Sequence, residues 1–142
     1  MTVHSDRDVI AEFRANAGSV AAFAGRRLLL LHTTGARSGK RRVTPLAYRR
    51  VGAGYAVFAS NAGSPTNPHW YHNLLADPRA TVEFGSLAVE VMARVADSEE
   101  RDRIWNQQVQ AFPHFAEYEE KTTRMIPVVV LEPPPTSQGT RR

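Results

Sequence analysis

Cysteine is absent from this 142-residue chain, which excludes disulfides, thiolate metal sites and cysteine nucleophiles, and fits a reducing compartment. Lysine is scarce as well, since 16 of the 18 basic residues are Arg. Arg serves planar, bidentate recognition of phosphate and carboxylate, although a GC-rich genome gives the same bias without functional meaning. Position therefore has to decide between the two. No apolar run approaches the roughly 20 residues of a membrane span, and the first residues lack the apolar core of a signal peptide, so the expected location is the cytoplasm, with membrane contact by the first helix left open and not predicted. There is no internal repeat. The strings GxGxxG and GxxxxGK[ST] do not open a helix after a strand, and no GxSxG elbow or Ser-His-Asp arrangement occurs. His69 and His72 lie three apart with no third ligand on their face, so no metal is expected.

What is present is a concentration of cations. Arg26, Arg27, Arg37, Lys40, Arg41, Arg42, Arg49 and Arg50 all fall between positions 26 and 50, within a net charge of +4. They surround a buried strand, Leu28 to Thr33, which is apolar on both faces and so central. Gly35 breaks that strand, and Arg37, Ser38, Lys40, Arg41 and Arg42 crowd around Gly39 before a second strand, Arg42 to Arg50. Glycine-exposed backbone N–H groups, a hydroxyl and several cations make an anion-binding turn. Pro45 donates no ladder bond and places an edge or bulge in the second strand.

The remaining elements follow from periodicity and punctuation. Ser5 caps an amphipathic helix carrying Val9, Ile10, Phe13 and Ala17, closed by Gly18, and a small-residue linker follows with Val20 and Phe23 as anchors. The turn Gly52-Ala53-Gly54 leads into a third strand, Tyr55 to Ser60. A loop from Asn61 to Pro68 feeds a short helix with Asn67 as N-cap and Trp70, Tyr71, Leu74 and Leu75 as its apolar face, ended by Asp77-Pro78. Ala80 to Phe84 and Leu87 to Ala96 form a hairpin about Gly85-Ser86, with Leu87, Val89, Val91, Ala93 and Val95 inward. Asp97 or Ser98 caps a long helix with the stripe Ile104, Trp105, Val109 and Phe112, a shorter helical stretch follows Pro113, and Ile126 to Leu131 closes as a strand. About six mostly antiparallel strands with flanking helices predict an α+β fold built on a barrel or half-barrel. The expected organisation is a helix and linker over 1–24, a barrel domain over 25–132 and a loose, Pro-rich tail over 133–142.

Two stretches besides the basic turn can carry chemistry. Ser60-Asn61-Ala62-Gly63-Ser64 is a second small-residue loop with donors, at the same end of the sheet as the basic turn. Phe112, Phe115 and Tyr118 recur every third residue around Pro113, either as an apolar stripe or as a lid over a flat ligand. His32, at the end of a buried strand, reads as a structural histidine.

The strings LLLLHTTGARSGKRRVTPLAYRR, YAVFASNAGSPTNPHWYHNLLADPRATVEFG and RMIPVVVLEP together resemble the deazaflavin (coenzyme F420)-dependent nitroreductase and quinone reductase family, from about Phe13 to Pro133. The resemblance implies a split β-barrel related to FMN-binding oxidoreductases. It implies that Arg37, Ser38, Gly39, Lys40, Arg41 and Arg42 hold the phosphate and tail of coenzyme F420, with Thr44, Pro45 and Tyr48 lining the groove. Ser60, Asn61, Ala62 and Gly63 would meet the cofactor from the other side, with Trp70, Tyr71 and Asn73 bracing that loop. Phe112, Phe115 and Tyr118 would face the acceptor, with Tyr118 as proton donor and Ser60 as the runner-up. Asn61, Ala36 and two Phe residues depart from the usual pattern of the family, which leaves acceptor choice open. The implied activity is hydride transfer from the reduced deazaflavin to a quinone, a nitroaromatic or an activated alkene. FMN is the alternative cofactor, because an Arg-rich cradle serves any phosphate. A nucleic-acid-binding module fits less well, since few aromatics interleave with the cations, and no nucleic-acid partner is expected. A ligand carrier without turnover is a third reading, and the assembly is read as a monomer or a homodimer.

Overall fold

The computed structural model describes residues 6–16 and 28–134. The Ser5 cap, the Gly18 stop, the linker with Val20 and Phe23, Arg26, Arg27 and the chain beyond Pro134 lie outside the described residues. The order is α1 (Asp6–Ala15), β1 (Leu28–Thr34), β2 (Arg41–Val51), β3 (Gly54–Phe58), α2 (His69–Ala76), β4 (Arg79–Phe84), β5 (Leu87–Val95), α3 (Ser98–Ala111), α4 (Phe115–Glu120) and β6 (Val128–Glu132). The six strands close into an antiparallel barrel in the order β1-β2-β3-β6-β5-β4, as the hairpin-rich pattern predicts.

Three apolar clusters follow from the period-2 alternation of strands buried on both faces. Inside the barrel, Leu29 and Leu31 of β1 meet Val57, Val82, Val91, Val129 and Leu131, and Trp70 and Leu74 of α2 plug the end. On the outer face, Leu28 and Leu30 are covered by Val9 and Phe13 of α1. The apolar stripe of α1 is thus spent on the barrel. The third cluster seats Ile104 and Trp105 of α3 and Phe115 of α4 on Ala56, Phe58, Val128 and Val130.

Glycine is demanded at two tight points. Gly54 closes the β2–β3 hairpin where an added Cβ would stand 2.7 Å from the Leu131 carbonyl oxygen, and Gly85 takes a φ of 58° in the β4–β5 turn. Several expectations need correction. Pro68, not Asn67, is the N-cap of α2, because the Asn67 side chain is taken by Arg124. Leu75, Leu87 and Val95 are exposed, at 57%, 61% and 45%, because β5 is longer than the barrel wall is deep and Leu75 points away from the plug. The stripe on α3 includes two buried polar residues, Arg101 and Gln108, that periodicity of apolar residues does not register. Arg101 donates to the Ile126 carbonyl at 2.9 Å and reaches Glu119 at 3.4 Å, which ties α3 to α4 and to the start of β6.

One charged chain crosses the outer wall. Arg14 of α1 donates to Glu83 of β4 at 2.7 Å, and Glu83 in turn meets the Nε2 of His32 on β1. His32 is therefore a satisfied structural histidine, as expected. The Arg14 hydrogen bond is the largest influence holding the Glu83 carboxyl below its ordinary pKa, against the opposing effect of burial. A depressed carboxylate stabilises the fold above the ordinary range and loses that contribution as pH falls through the lowered value. Glu83→Gln should therefore cost on the order of 1 kcal/mol at pH 7, with the gap to wild type closing below about pH 4. Urea denaturation at pH 3 to 7 checks this, and a gap that does not change with pH would contradict it.

Candidate functional site

The site is created by a change of partner along β2. Residues Arg41 to Ala47 pair with β1, whereas only Tyr48 to Val51 pair with β3. Gly52-Ala53 is a two-residue hairpin loop, so its flanking pair, Val51 and Gly54, is the hydrogen-bonded one. Odd-numbered residues of β2 then aim their backbone groups toward β3 and even-numbered ones toward β1. From Ala47 back to Arg41, β3 is no longer alongside, and among the described residues the odd-numbered backbone groups have no ladder partner, so that edge of β2 forms one side of a cleft. Pro45 lies on this open side, where its missing N–H costs no ladder bond. The sequence-based expectation of an edge at Pro45 is thus met locally, inside a closed barrel.

The basic turn stands at one end of this cleft. Gly35 N–H donates to the Lys40 carbonyl at 2.8 Å, Gly39 N–H to the Gly35 carbonyl at 2.9 Å, and Lys40 N–H to Ser38 Oγ at 3.1 Å. Gly39 has a φ of 71°, the left-handed conformation that closes so tight a turn. A Cβ on Gly35 would meet Ser38 Oγ at 2.6 Å and Arg42 Nε at 3.8 Å, so Ser38 and Arg42 come together over a face that only glycine leaves open. Arg41 goes elsewhere. Its Nη1 lies 3.3 Å from His32 Nδ1 on the outer wall, so the five polar side chains of the turn do not all converge. Arg37, Lys40 and Arg42 are exposed and make no ion pair among the described residues, whereas Arg14, Arg79, Arg94 and Arg101 each hold a carboxylate. The turn therefore keeps uncommitted positive charge.

The second loop is a single 3-10 turn over Asn61–Gly63, placed at the same barrel end because β3 runs antiparallel to β2. Asn61 sits at a φ of 47° and Gly63 at 82°. Asn73 does not brace this loop, contrary to the sequence-based expectation. It accepts from Ala36 N–H at 2.9 Å and donates to Thr33 Oγ1 at 3.1 Å, so α2 braces the basic turn instead. The loop is held by Arg124, which sequence reasoning did not single out. Its guanidinium donates to the carbonyls of Ala59, Ser60 and Ser64, each at 3.0 Å, and to Asn67 Oδ1 at 2.6 Å. All four acceptors are neutral, and burial pushes the Arg124 pKa down without a carboxylate to oppose it. These contacts span 57 to 65 residues, so the only available signal was that Arg124 opens the string RMIPVVVLEP.

Other expected site residues are core. Phe115 is 4% exposed and packs edge-on against Phe58 and Trp105 at 5.5 and 6.0 Å, so its ring contacts protein rather than an acceptor. Tyr48 packs on Tyr55 and Phe84 inside the barrel, at 5.6 and 5.3 Å, away from the cleft. Trp70 is buried in the barrel plug, and Tyr71 lines an apolar crevice of about 200 Å³ on the β5 flank of α2. Phe112 and Tyr118 remain half-buried beside Phe115, and Thr44 and Pro45 are half-buried on β2. A polar groove of about 350 Å³ lies on the outer wall beside His32, Arg41 and Arg79. Neither concavity is the space between the two loops, where the uncommitted cations stand.

The sequence profile of the F420H(2)-dependent quinone reductase family matches residues 5–133. The chain belongs to that family. An F420H(2)-dependent quinone reductase of Mycobacterium tuberculosis is 40% identical over 106 residues, covering 72% of this chain and 71% of that one. Among solved structures, an F420-H2 dependent reductase, FDR-A, superposes with a TM-score of 0.67 at 42% identity, covering 74% of this chain and 93% of its own. A structure described as a domain-swapped dimer gives a TM-score of 0.69 at 37% identity, over 87% and 94% of the two chains. In this quinone reductase family member the Arg124 hub carries a direct consequence. Arg124→Met should lower stability by about 2–3 kcal/mol by stranding buried carbonyls, and Arg124→Lys by less. Amide exchange should accelerate at 59–67 more than in the barrel strands; uniform acceleration would refute a local hub.

Proposed function

We propose that this protein holds coenzyme F420 in the cleft between the basic turn and the Ser60–Gly63 loop, and in the reduced state reduces an electron-poor acceptor of the quinone class. The observation that carries this reading is the uncommitted charge of Arg37, Lys40 and Arg42 beside Ser38, at the end of a strand whose backbone faces open space. Those donors suit a cofactor with a phosphate and a carboxylate tail, and the one-sided edge of β2 suits the amide-like rim of a planar ring. When bound, the reduced deazaflavin supplies a hydride, and a quinone that takes it with one proton becomes a hydroquinone. The protein has to bind, orient and exclude water, so a catalytic dyad is not required.

Arg42 and Lys40 hold the anionic end, with Arg37 beside them. Tyr118 on α4, held by ring contacts to Phe115 at 5.3 Å and His114 at 5.9 Å, is the proposed proton donor, with Ser60 as the second candidate. Nitroaromatics and activated alkenes share the electron-poor character of a quinone and belong to the same proposal. Family membership favours the deazaflavin over FMN, which the cations alone would also suit. The domain-swapped relative makes a homodimer the assembly we expect. No helix among the described residues is long and apolar enough to cross a membrane, and a cytoplasmic location is part of this reading.

Two measurements test the reading. Titration of protein produced in a host without the deazaflavin, using oxidised F420 with FMN and NADPH as controls, should show F420 binding. Lys40→Ala and Arg42→Ala should each weaken it by roughly 1.5–3 kcal/mol, and unaltered affinity in both would discard the cradle. Separately, Tyr118→Phe should lower kcat for quinone reduction several-fold while leaving the F420 Kd unchanged; full turnover in that variant would remove the proton-donor role.

A further inference from the structure

We infer that Lys121 is an anion-binding residue of the second wall, meeting phosphate or carboxylate oxygens of the cofactor opposite Lys40 and Arg42. This rests on the cleft reading above and assigns a charge that the reading lacks. The loop Ser60-Asn61-Ala62-Gly63-Ser64 has no ionisable side chain. Arg124 is close behind it, but every one of its recorded donors is spent on a neutral oxygen of the loop segment 59–67. Meanwhile α4 is acidic, with Glu117, Glu119 and Glu120 in its six residues. Glu119 is engaged by Arg101. Arg124 keeps its charge but each of its guanidinium nitrogens is already engaged, so a cation with free donors on this wall would add a direct contact and offset the acidity of α4.

Lys121 supplies that cation through an unusual contact. A Cβ placed on Gly63 would lie 2.7 Å from Lys121 Cβ, 2.9 Å from Cδ and 3.3 Å from Cγ, so the lysine stem lies flat across the glycine. Gly63 is thus required twice, by its φ of 82° and by the stem that occupies its face. The stem starts from a fixed point, since Lys121 caps α4 with its N–H donating to the Glu117 and Tyr118 carbonyls at 3.2 and 3.3 Å. The residue is exposed, and its ammonium makes no ion pair among the described residues. The chain has only two lysines, and the other is Lys40 of the basic turn. Its side chain places a point charge at the end of a flexible stem, able to follow a flexible anion.

The test is fluorescence titration with oxidised F420 at several salt concentrations, comparing wild type, Lys121→Gln, Lys121→Arg and Arg42→Ala, with a deazaflavin lacking phosphate and tail as a second probe. Lys121→Gln should weaken F420 binding roughly 5- to 20-fold at low salt and flatten its salt dependence, with Lys121→Arg near wild type. The tail-less probe should bind wild type and Lys121→Gln alike, and thermal midpoints should agree. Wild-type affinity and salt dependence in Lys121→Gln, with Arg42→Ala impaired, would overturn the Lys121 assignment and leave the cleft standing. Equal loss with the tail-less probe would overturn the anionic contact. Failure of wild type to bind F420 at all would overturn the cleft reading itself.

Discussion

A single strand has to serve two neighbours in this barrel. The eleven residues of β2 pair with β1 over their first seven and with β3 over their last four, so the sheet closes while, among the described strands, each stretch has a partner on one side only. Unpaired backbone groups are expensive where water is excluded and tolerable where a ligand or solvent can reach them. Pro45 reduces that liability by removing a donor from the open side. The handover also sets where the flanking loops stand, since the turn before β2 and the loop after β3 must both emerge at the end where the strands part.

The electrostatics divide along the same line. Four arginines outside the basic turn hold carboxylates: Arg14 with Glu83, Arg79 with Asp77, Arg94 with Glu100 and Glu132, and Arg101 with Asp102 and Glu119. Arg14–Glu83, Arg94–Glu132 and Arg101–Glu119 join elements distant in sequence while the others are local, and all are worth modest energies where exposed. Arg37, Lys40 and Arg42 of the basic turn, and Lys121 after α4, make no ion pair among the described residues. Like charges kept close together cost stability, and a bound anion offsets that cost. Arg124 shows the opposite arrangement, a cation satisfied wholly by backbone and amide oxygens, whose work is to fix a loop that has little packing of its own.

The aromatic residues illustrate how spacing can mislead. Phe112, Phe115 and Tyr118 share a three-residue period, but Pro113 breaks the helix between the first and second, and the rings pack on one apolar cluster with Phe115 buried and the other two half-buried. Phe115 turns into the cluster with Phe58 and Trp105, and Tyr118 rests on it. Trp70 behaves in the same way, filling the barrel end together with Leu74. Aromatic burial outweighs the stacking that an open lid would offer.

By itself the sequence determined the strands, the hairpins, the antiparallel barrel and the two loops that flank β2 and β3, because alternation, glycine and proline act within a few residues. The basic turn was legible for the same reason: Gly35 to Arg42 closes through its own hydrogen bonds. Only the tertiary structure decided how those cations are sorted, with Arg41 drawn to His32 and Arg42 left beside Gly35, since that depends on which side of β2 each one occupies. It also decided that Asn73 braces the turn, that Arg124 holds the opposite loop, and that Lys121 lies on Gly63. Those contacts join positions 37 to 65 residues apart. A hydrogen bond across such a separation leaves no local periodicity, so it becomes visible only once the barrel has brought its ends together.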